Sequence, residues 1–320
     1  MFARPLLLLL ALAAVPAMDA HAATPAVTSY SAQLDALWDY AKPVESEQRF
    51  RAELAKWPAG DSHALIVATQ IARTQGLRRQ FAEAHAALDA VALQLDGAPS
   101  HVRVRYLLER GRTFNSSGSP ERAVSLFAEA LSLAECNDDT FYAIDAAHML
   151  GIAAPQAERL DWDLKALAMT EKTTDTRSKR WLAPLYNNIG YAYQERGDFA
   201  TALVYYRKAL PAYEARGDPG SVRVARWTIA RAQRSLGQLD EAEKTQRALL
   251  ALQEKQGEPD GHVYEELAEI ALARGDAAGA APWAAKAHAL LKDDPGFAAN
   301  QAPRLARLAT VAAGNPPPKP

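Results

Sequence analysis

Asn187 and Asn188 stand side by side in LYNNIGYAYQERGDFATALVYYRKAL, residues 185–210. A carboxamide carries donors and acceptors together, so such a pair can hold the main chain of an extended peptide. Farther along, Trp227, Arg231 and Arg234 combine apolar area with positive charge, the residue types that dominate protein recognition. Catalytic chemistry finds no comparable arrangement. The seven histidines are scattered, with no pair at metal-ligand spacing, and the sequence holds no H-E-x-x-H, no phosphate-binding G-x-x-x-x-G-K-[ST] and no G-x-S-x-G. Glu135, Cys136, Asp138 and Asp139 lie together, but a lone cysteine among acids between helices reads as a solvated loop rather than a metal site. No cofactor and no metal are expected.

Composition narrows the class. The chain has 320 residues, is 49% hydrophobic and carries a formal charge of −2, so no basic field invites nucleic acid. With one cysteine it is no disulfide scaffold, and stability must come from an apolar core. The N-terminus MFARPLLLLLALAAVPAMDAHAATPA has Arg4, an apolar run Leu6–Val15, then Pro16 and the small-residue triplet Ala20-His21-Ala22. This is the layout of a secretory signal peptide over residues 1–22. The apolar run is too short for a bilayer that needs about 20 residues. No membrane span is expected after cleavage, and the expected location is periplasmic or secreted.

The elements that must position these residues repeat. Gly190, Gly197, Ala202, Tyr206 and Ala209 have the same spacing as Gly111, Gly118, Ala123, Phe127 and Ala130. The pattern recurs at Ala230, Gly237, Ala242 and at Ala268, Gly275, Ala280. Loop glycines at 118, 197, 237 and 275 leave gaps of 79, 40 and 38. The first gap is two periods, so a degenerate copy is expected, with helices near 140–153 and 160–172, Gly151 at the first position and Asp163 where other copies have alanine. A further copy lies upstream, with Ala72 and Ala84 in register, Arg79 at the glycine slot and Gly76 taking over the turn. Six copies fill residues 62–292. Gly190 costs a helix about 1 kcal/mol relative to alanine, and close approach to Ala202 of the following helix is the expected compensation. Tyr193, Tyr206 and Ala209 are expected to pack against the next copy.

On Tyr186, Ile189, Gly190, Tyr193, Ala202, Tyr206 and Ala209 the pattern resembles the tetratricopeptide repeat (TPR). The usual TPR period is about 34. The longer period here is similar to that of kinesin light chains. The resemblance implies an all-α fold, a right-handed superhelical solenoid of helical hairpins with capping helices at both ends. Residues 46–313 are expected to form it, after a partly helical segment at 23–45 and before a Pro-rich disordered tail at 314–320. Ser46 is expected to cap an entry helix carrying Phe50, Leu54 and Trp57. Pro43 is expected to end the helix before it, and Pro295 to start the exit helix.

The resemblance also implies a groove lined by the first helix of each hairpin. It assigns Arg105 and Arg112 to that face, then Asp145 and His148, Asn187, Asn188 and Tyr191, Trp227, Arg231 and Arg234, and finally Glu265 and Glu269. Kinesin light chains similarly present asparagines to a bound peptide backbone. Each assignment has a second reading: the arginines pair with Glu265, Trp227 packs between hairpins, and His148 is an interior histidine. The function expected is an exported, non-catalytic scaffold for a peptide or protein partner, acidic if the arginines are free. Two alternatives stand beside it: a tethered or intracellular regulator that keeps its N-terminal segment, and an enzyme using His148 with Asp145, which lacks a nucleophile–base–orienter set.

Overall fold

The computed structural model describes residues 25–315. The leader-like stretch and residues 316–320 lie outside them. Among the described residues every regular element is a helix, and they form two compact units, one ending at Glu109 and one beginning at Arg110.

The first unit contains α1 (Pro25–Asp35), α2 (Pro43–Leu54), α3 (Ser62–Leu77), α4 (Phe81–Ala92) and the start of α5 (Ser100–Ser116). Phe50, Ile66, Val67 and Val102 are its fully enclosed centre. The entry helix starts earlier than expected. Pro43 opens α2 rather than ending the helix before it, because proline suits a first turn whose amides have no partners. Ser46 then falls inside α2, where its hydroxyl accepts from the Asp39 amide at 2.8 Å and donates to the Asp39 carbonyl at 3.0 Å. Buried Glu47 accepts from Arg51 at 2.8 Å and pairs with Arg78. Between α3 and α4, Arg79 itself takes the left-handed conformation (φ 62°) while Gly76 stays helical. The expected exchange of roles does not occur, because the turn geometry is fixed by position in the hairpin.

The second unit continues with α6 (Pro120–Cys136), α7 (Thr140–Ala153), α8 (Gln156–Lys172), the short α9 (Thr176–Lys179), α10 (Leu182–Glu195), α11 (Phe199–Arg216), α12 (Pro219–Ser235), α13 (Leu239–Gln256), α14 (Gly261–Ala273), α15 (Ala277–Leu291), α16 (Pro295–Asn300) and α17 (Ala302–Ala312). A recurrent Gly-Asp pair makes the breaks. Gly197 turns left-handed (φ 78°), and Asp198 then caps α11 by accepting from the Thr201 amide at 3.0 Å. Asp218 and Asp276 cap α12 and α15 in the same way.

The degenerate copy is a helical hairpin, α7 with α8. Its turn holds no glycine and falls at 154–155, so the second helix begins earlier than the expected 160. Ala154 and Pro155 are extended and α8 starts at Gln156, because a residue before proline avoids the helical region. The exit helix from Pro295 breaks at Gln301, and α17 packs on α15.

The close approach at Gly190 is made by a different residue than expected. A Cβ there would meet the Tyr206 ring at 2.7 Å, so Tyr206 lies on Gly190 within its own hairpin while also reaching Ala232 of the next. Phe127 lies on Gly111 in the same way.

Gly190→Leu should lower stability by about 1–3 kcal/mol through overpacking against Tyr206, read as a lower urea midpoint. Arg79→Gly should raise the urea midpoint, by up to about 1 kcal/mol of stability, since a side chain in that backbone region costs about 1–2 kcal/mol.

Candidate functional site

In the second unit, the end of α7, the start of α8 and one face of α10 enclose a pocket of about 210 Å³. Gly151, Asp163, Asn188, Tyr191 and Glu195 line it, with Arg159 and Arg196 at its exposed mouth. Asn188, Tyr191 and Glu195 fall on one stripe of α10 because they are three and four residues apart. Asp163 is 2% exposed, and its Oδ1 makes no hydrogen bond. His148 Nδ1 lies 3.9 Å from that oxygen and 3.5 Å from Asn188 Nδ2.

A second pocket of about 430 Å³ opens where α12, α13, α14 and α17 meet, lined by Val224, Trp227, Leu249, Val263, Gln253 and Arg304 among others. It is the more apolar of the two. Trp227 donates from Nε1 to the His262 carbonyl at 3.2 Å, so it both packs between hairpins and lines this pocket. The Arg231 guanidinium sits 5.4 Å above its ring.

The arginines have partners. Buried Glu266 accepts two bonds from Arg234, at 2.7 and 3.1 Å, with Arg231 at 3.7 Å from the same carboxylate. The expected partner, Glu265, instead takes Arg304 at 2.9 and 2.5 Å, and Glu269 takes Arg307 at 2.8 and 3.0 Å. One step along a helix rotates a side chain by about 100°, so adjacent glutamates face different neighbours. The Tyr191 phenol is raised by burial and by Glu195, and lowered by Arg231 and Arg304. Arg231, over the Trp227 ring, and Arg304, in the wall of the second pocket, are the cations that act on this tyrosine.

Other expected groove residues sit deeper. Arg105 is buried, and Asp145 is buried and ion-paired with Arg112. His148 is buried, with its ring 5.0 Å from Trp181. It is an interior histidine, and the acid beside it is Asp163, not Asp145. Asn187 and Asn188 part company: Asn188 lines the first pocket, while Asn187 Oδ1 is buried without a hydrogen bond. In the first unit Ser31 Oγ lies 2.6 Å from His101 Nε2, a nucleophile–base pair by residue type. Both residues are buried, so the pair ties α1 to α5 and offers a substrate no access. Nothing in sequence spacing joins two residues 70 positions apart. For Asp163 a signal existed: a carboxylate in a slot that other copies fill with alanine.

Residues 181–255 match the sequence pattern described as Tetratricopeptide repeat. These are tetratricopeptide repeats. The TPR match spans α10 to α13, and beyond it the chain is similar to solved structures in fold. The apo form of RapI is 9% identical over 89% of this chain and 80% of its own, with a TM-score of 0.65. NprR in complex with its cognate peptide NprX is 14% identical over 90% of this chain and 84% of its own, at 0.54. The nearly identical TPR-like repeats of a putative kinesin light chain from Podosopora anserina are 19% identical to this chain over 60% of its length and 96% of their own, at 0.50. At these identities the likeness is one of fold. No curated protein sequence matches the chain.

Burial would raise the Glu265 carboxyl, but nearby His262 and the two hydrogen bonds from Arg304 outweigh it and hold it below the ordinary carboxylate value. A depressed carboxyl stabilises the fold above its unfolded pKa, about 4.3, and that contribution is lost as pH falls through the folded value. The docking of α17 should therefore loosen below about pH 4. Amide hydrogen exchange in residues 302–312, corrected for intrinsic rate, should accelerate there, and Glu265→Gln should show the acceleration already at pH 7.

Proposed function

We propose that this chain is an exported TPR scaffold that binds a peptide or protein segment along the face shared by α10, α12, α14 and α17, and performs no catalysis. The observation that carries this reading is a surface with two pockets of different character. A polar pocket around Asn188 and Tyr191 lies against α10, an apolar pocket around Trp227 lies where α12, α13, α14 and α17 meet, and Arg231 stands over the Trp227 ring. An extended segment crossing it meets amide groups, positive charge and an aromatic wall in turn, the mixture that carries binding energy in protein interfaces. The fold shared with NprR, which is described with its cognate peptide, supports the same use.

With Arg234 and Arg304 bound to glutamates, Arg231 is the arginine with charge to offer an acidic group on the ligand: its side chain is 32% exposed and its contact to Glu266 is long. The proposed location is the periplasm or the cell exterior, on the strength of the leader-like residues 1–22. Intact-mass measurement of the protein from its native host should give a chain starting near Ala23; a mass retaining Met1–Ala22 would favour a tethered regulator.

A phage-displayed random peptide library panned on the folded chain should enrich extended binders. Arg231→Ala should weaken them by about 1.5 kcal/mol or more, and Asn188→Ala by about 1 kcal/mol. The Arg231 effect should shrink at high salt. Failure to enrich any peptide, or full retention by the folded double variant, would place the binding surface elsewhere.

A further inference from the structure

We infer that the pocket between α7, α8 and α10 is a subsite for one basic side chain, the ammonium of a lysine or the guanidinium of an arginine, with Asp163 as its counter-ion. The inference rests on the peptide-scaffold reading for the source of that side chain. The site itself stands on the geometry of this chain.

Asp163 is built into the pocket wall, in a slot that other hairpins fill with alanine. The equivalent positions Ala123, Ala202, Ala242 and Ala280 are all fully buried alanines, so the hairpin closes without a carboxylate. Here the carboxylate lies against Gly151, where a Cβ would collide with it, and lines the pocket. Its Oδ1 has no hydrogen-bond partner, and His148 at 3.9 Å is too far to supply one. A buried carboxylate oxygen lacking a donor is disfavoured, and a cation that reaches it removes that cost. Asn188 and Tyr191 also line the pocket, and Glu195, exposed like the two arginines at the mouth, offsets one of their charges. At about 210 Å³ the space is below the roughly 300–1,000 Å³ of pockets for whole ligands. It suits the end of one long side chain.

Arg159 and Arg196 at the mouth are the competing consideration. Arg159 is tied by Nε to the Ala154 carbonyl at 2.8 Å. Both arginines are exposed, where water and salt screen their repulsion. The attraction of Asp163 acts where water is largely excluded and falls off less. If the mouth instead selects an anion, these arginines would carry the binding.

The test uses four capped tripeptides, acetyl-Ala-X-Ala-amide with X as arginine, lysine, norleucine or glutamate, titrated against the full chain by ligand-observed NMR. The arginyl and lysyl peptides should bind about tenfold or more tightly than the norleucyl and glutamyl ones, the step a charge-assisted hydrogen bond gives. Asp163→Ala should erase that preference while the thermal midpoint stays level or rises, because the variant restores the alanine of the other hairpins. Should Asp163→Ala fail to fold, Asp163→Asn removes the charge and keeps the shape, and loss of the preference there supports the subsite.

Equal binding of lysyl and norleucyl peptides overturns the inference, as does no binding of any basic peptide, or a preference that survives loss of the Asp163 charge. Tighter binding of the glutamyl peptide, lost in Arg159→Ala, overturns it in favour of an anion site. The two proposals fail separately. Library binders without a basic preference sink the subsite alone. Tripeptide binding without any extended library binder sinks the scaffold reading alone.

Discussion

A ring lying flat on a glycine sets the geometry of this solenoid. Phe127 covers Gly111 and Tyr206 covers Gly190, and in each hairpin this brings two helices nearer than side chains on both would allow. The rule is one of summed volume. In these two hairpins the first position is glycine and the position sixteen residues later is an aromatic; where the first position is alanine, as at Ala72, Ala230 and Ala268, that later position holds Leu88, Gln246 or Ala284. Close packing leaves little slack for any other sharing of space. The third hairpin solves the same problem in its own way. Gly151 faces Asp163 rather than a ring, and the position sixteen residues later holds buried Leu167.

Electrostatics completes what packing begins. Arg234 on Glu266, Arg304 on Glu265 and Arg307 on Glu269 join α12 to α14 and α14 to α17. Bidentate guanidinium–carboxylate pairs fix orientation as well as distance, so the helix faces are held in one register. Arg231, at the edge of this set, has a longer contact and a greater exposure than Arg234. Arg234 is thus committed to the fold, and Arg231, the arginine proposed to meet a ligand, stands three residues away on the same helix.

The repeat was legible in the sequence because spacing is a local property. The 79-residue gap announced a hidden hairpin, and α7 with α8 occupies it. The Gly-Asp breaks announced the turns. What stayed illegible depended on which neighbour a side chain meets. His148 could be placed on a helix but not inside it against Asp163 and Trp181. Glu265 could be expected to meet an arginine, but the choice between adjacent glutamates turns on a rotation that only packed coordinates fix. Gly76 looked like a better turn residue than Arg79, yet chain position outweighed residue preference and the arginine took the left-handed turn. The apolar pocket beside Trp227 draws on four helices, too far apart in sequence for any motif to join.

The latch between α14 and α17 also bears on how such a chain can lengthen over evolutionary time. A hairpin added ahead of α12 leaves the arginine–glutamate pairs of α12 with α14 and of α14 with α17 intact. One inserted after α15 would part α17 from Glu265 and Glu269 and leave both carboxylates without their arginines. Growth of this solenoid is therefore directional: new copies enter through the middle, and the terminal hairpin travels with its own lid.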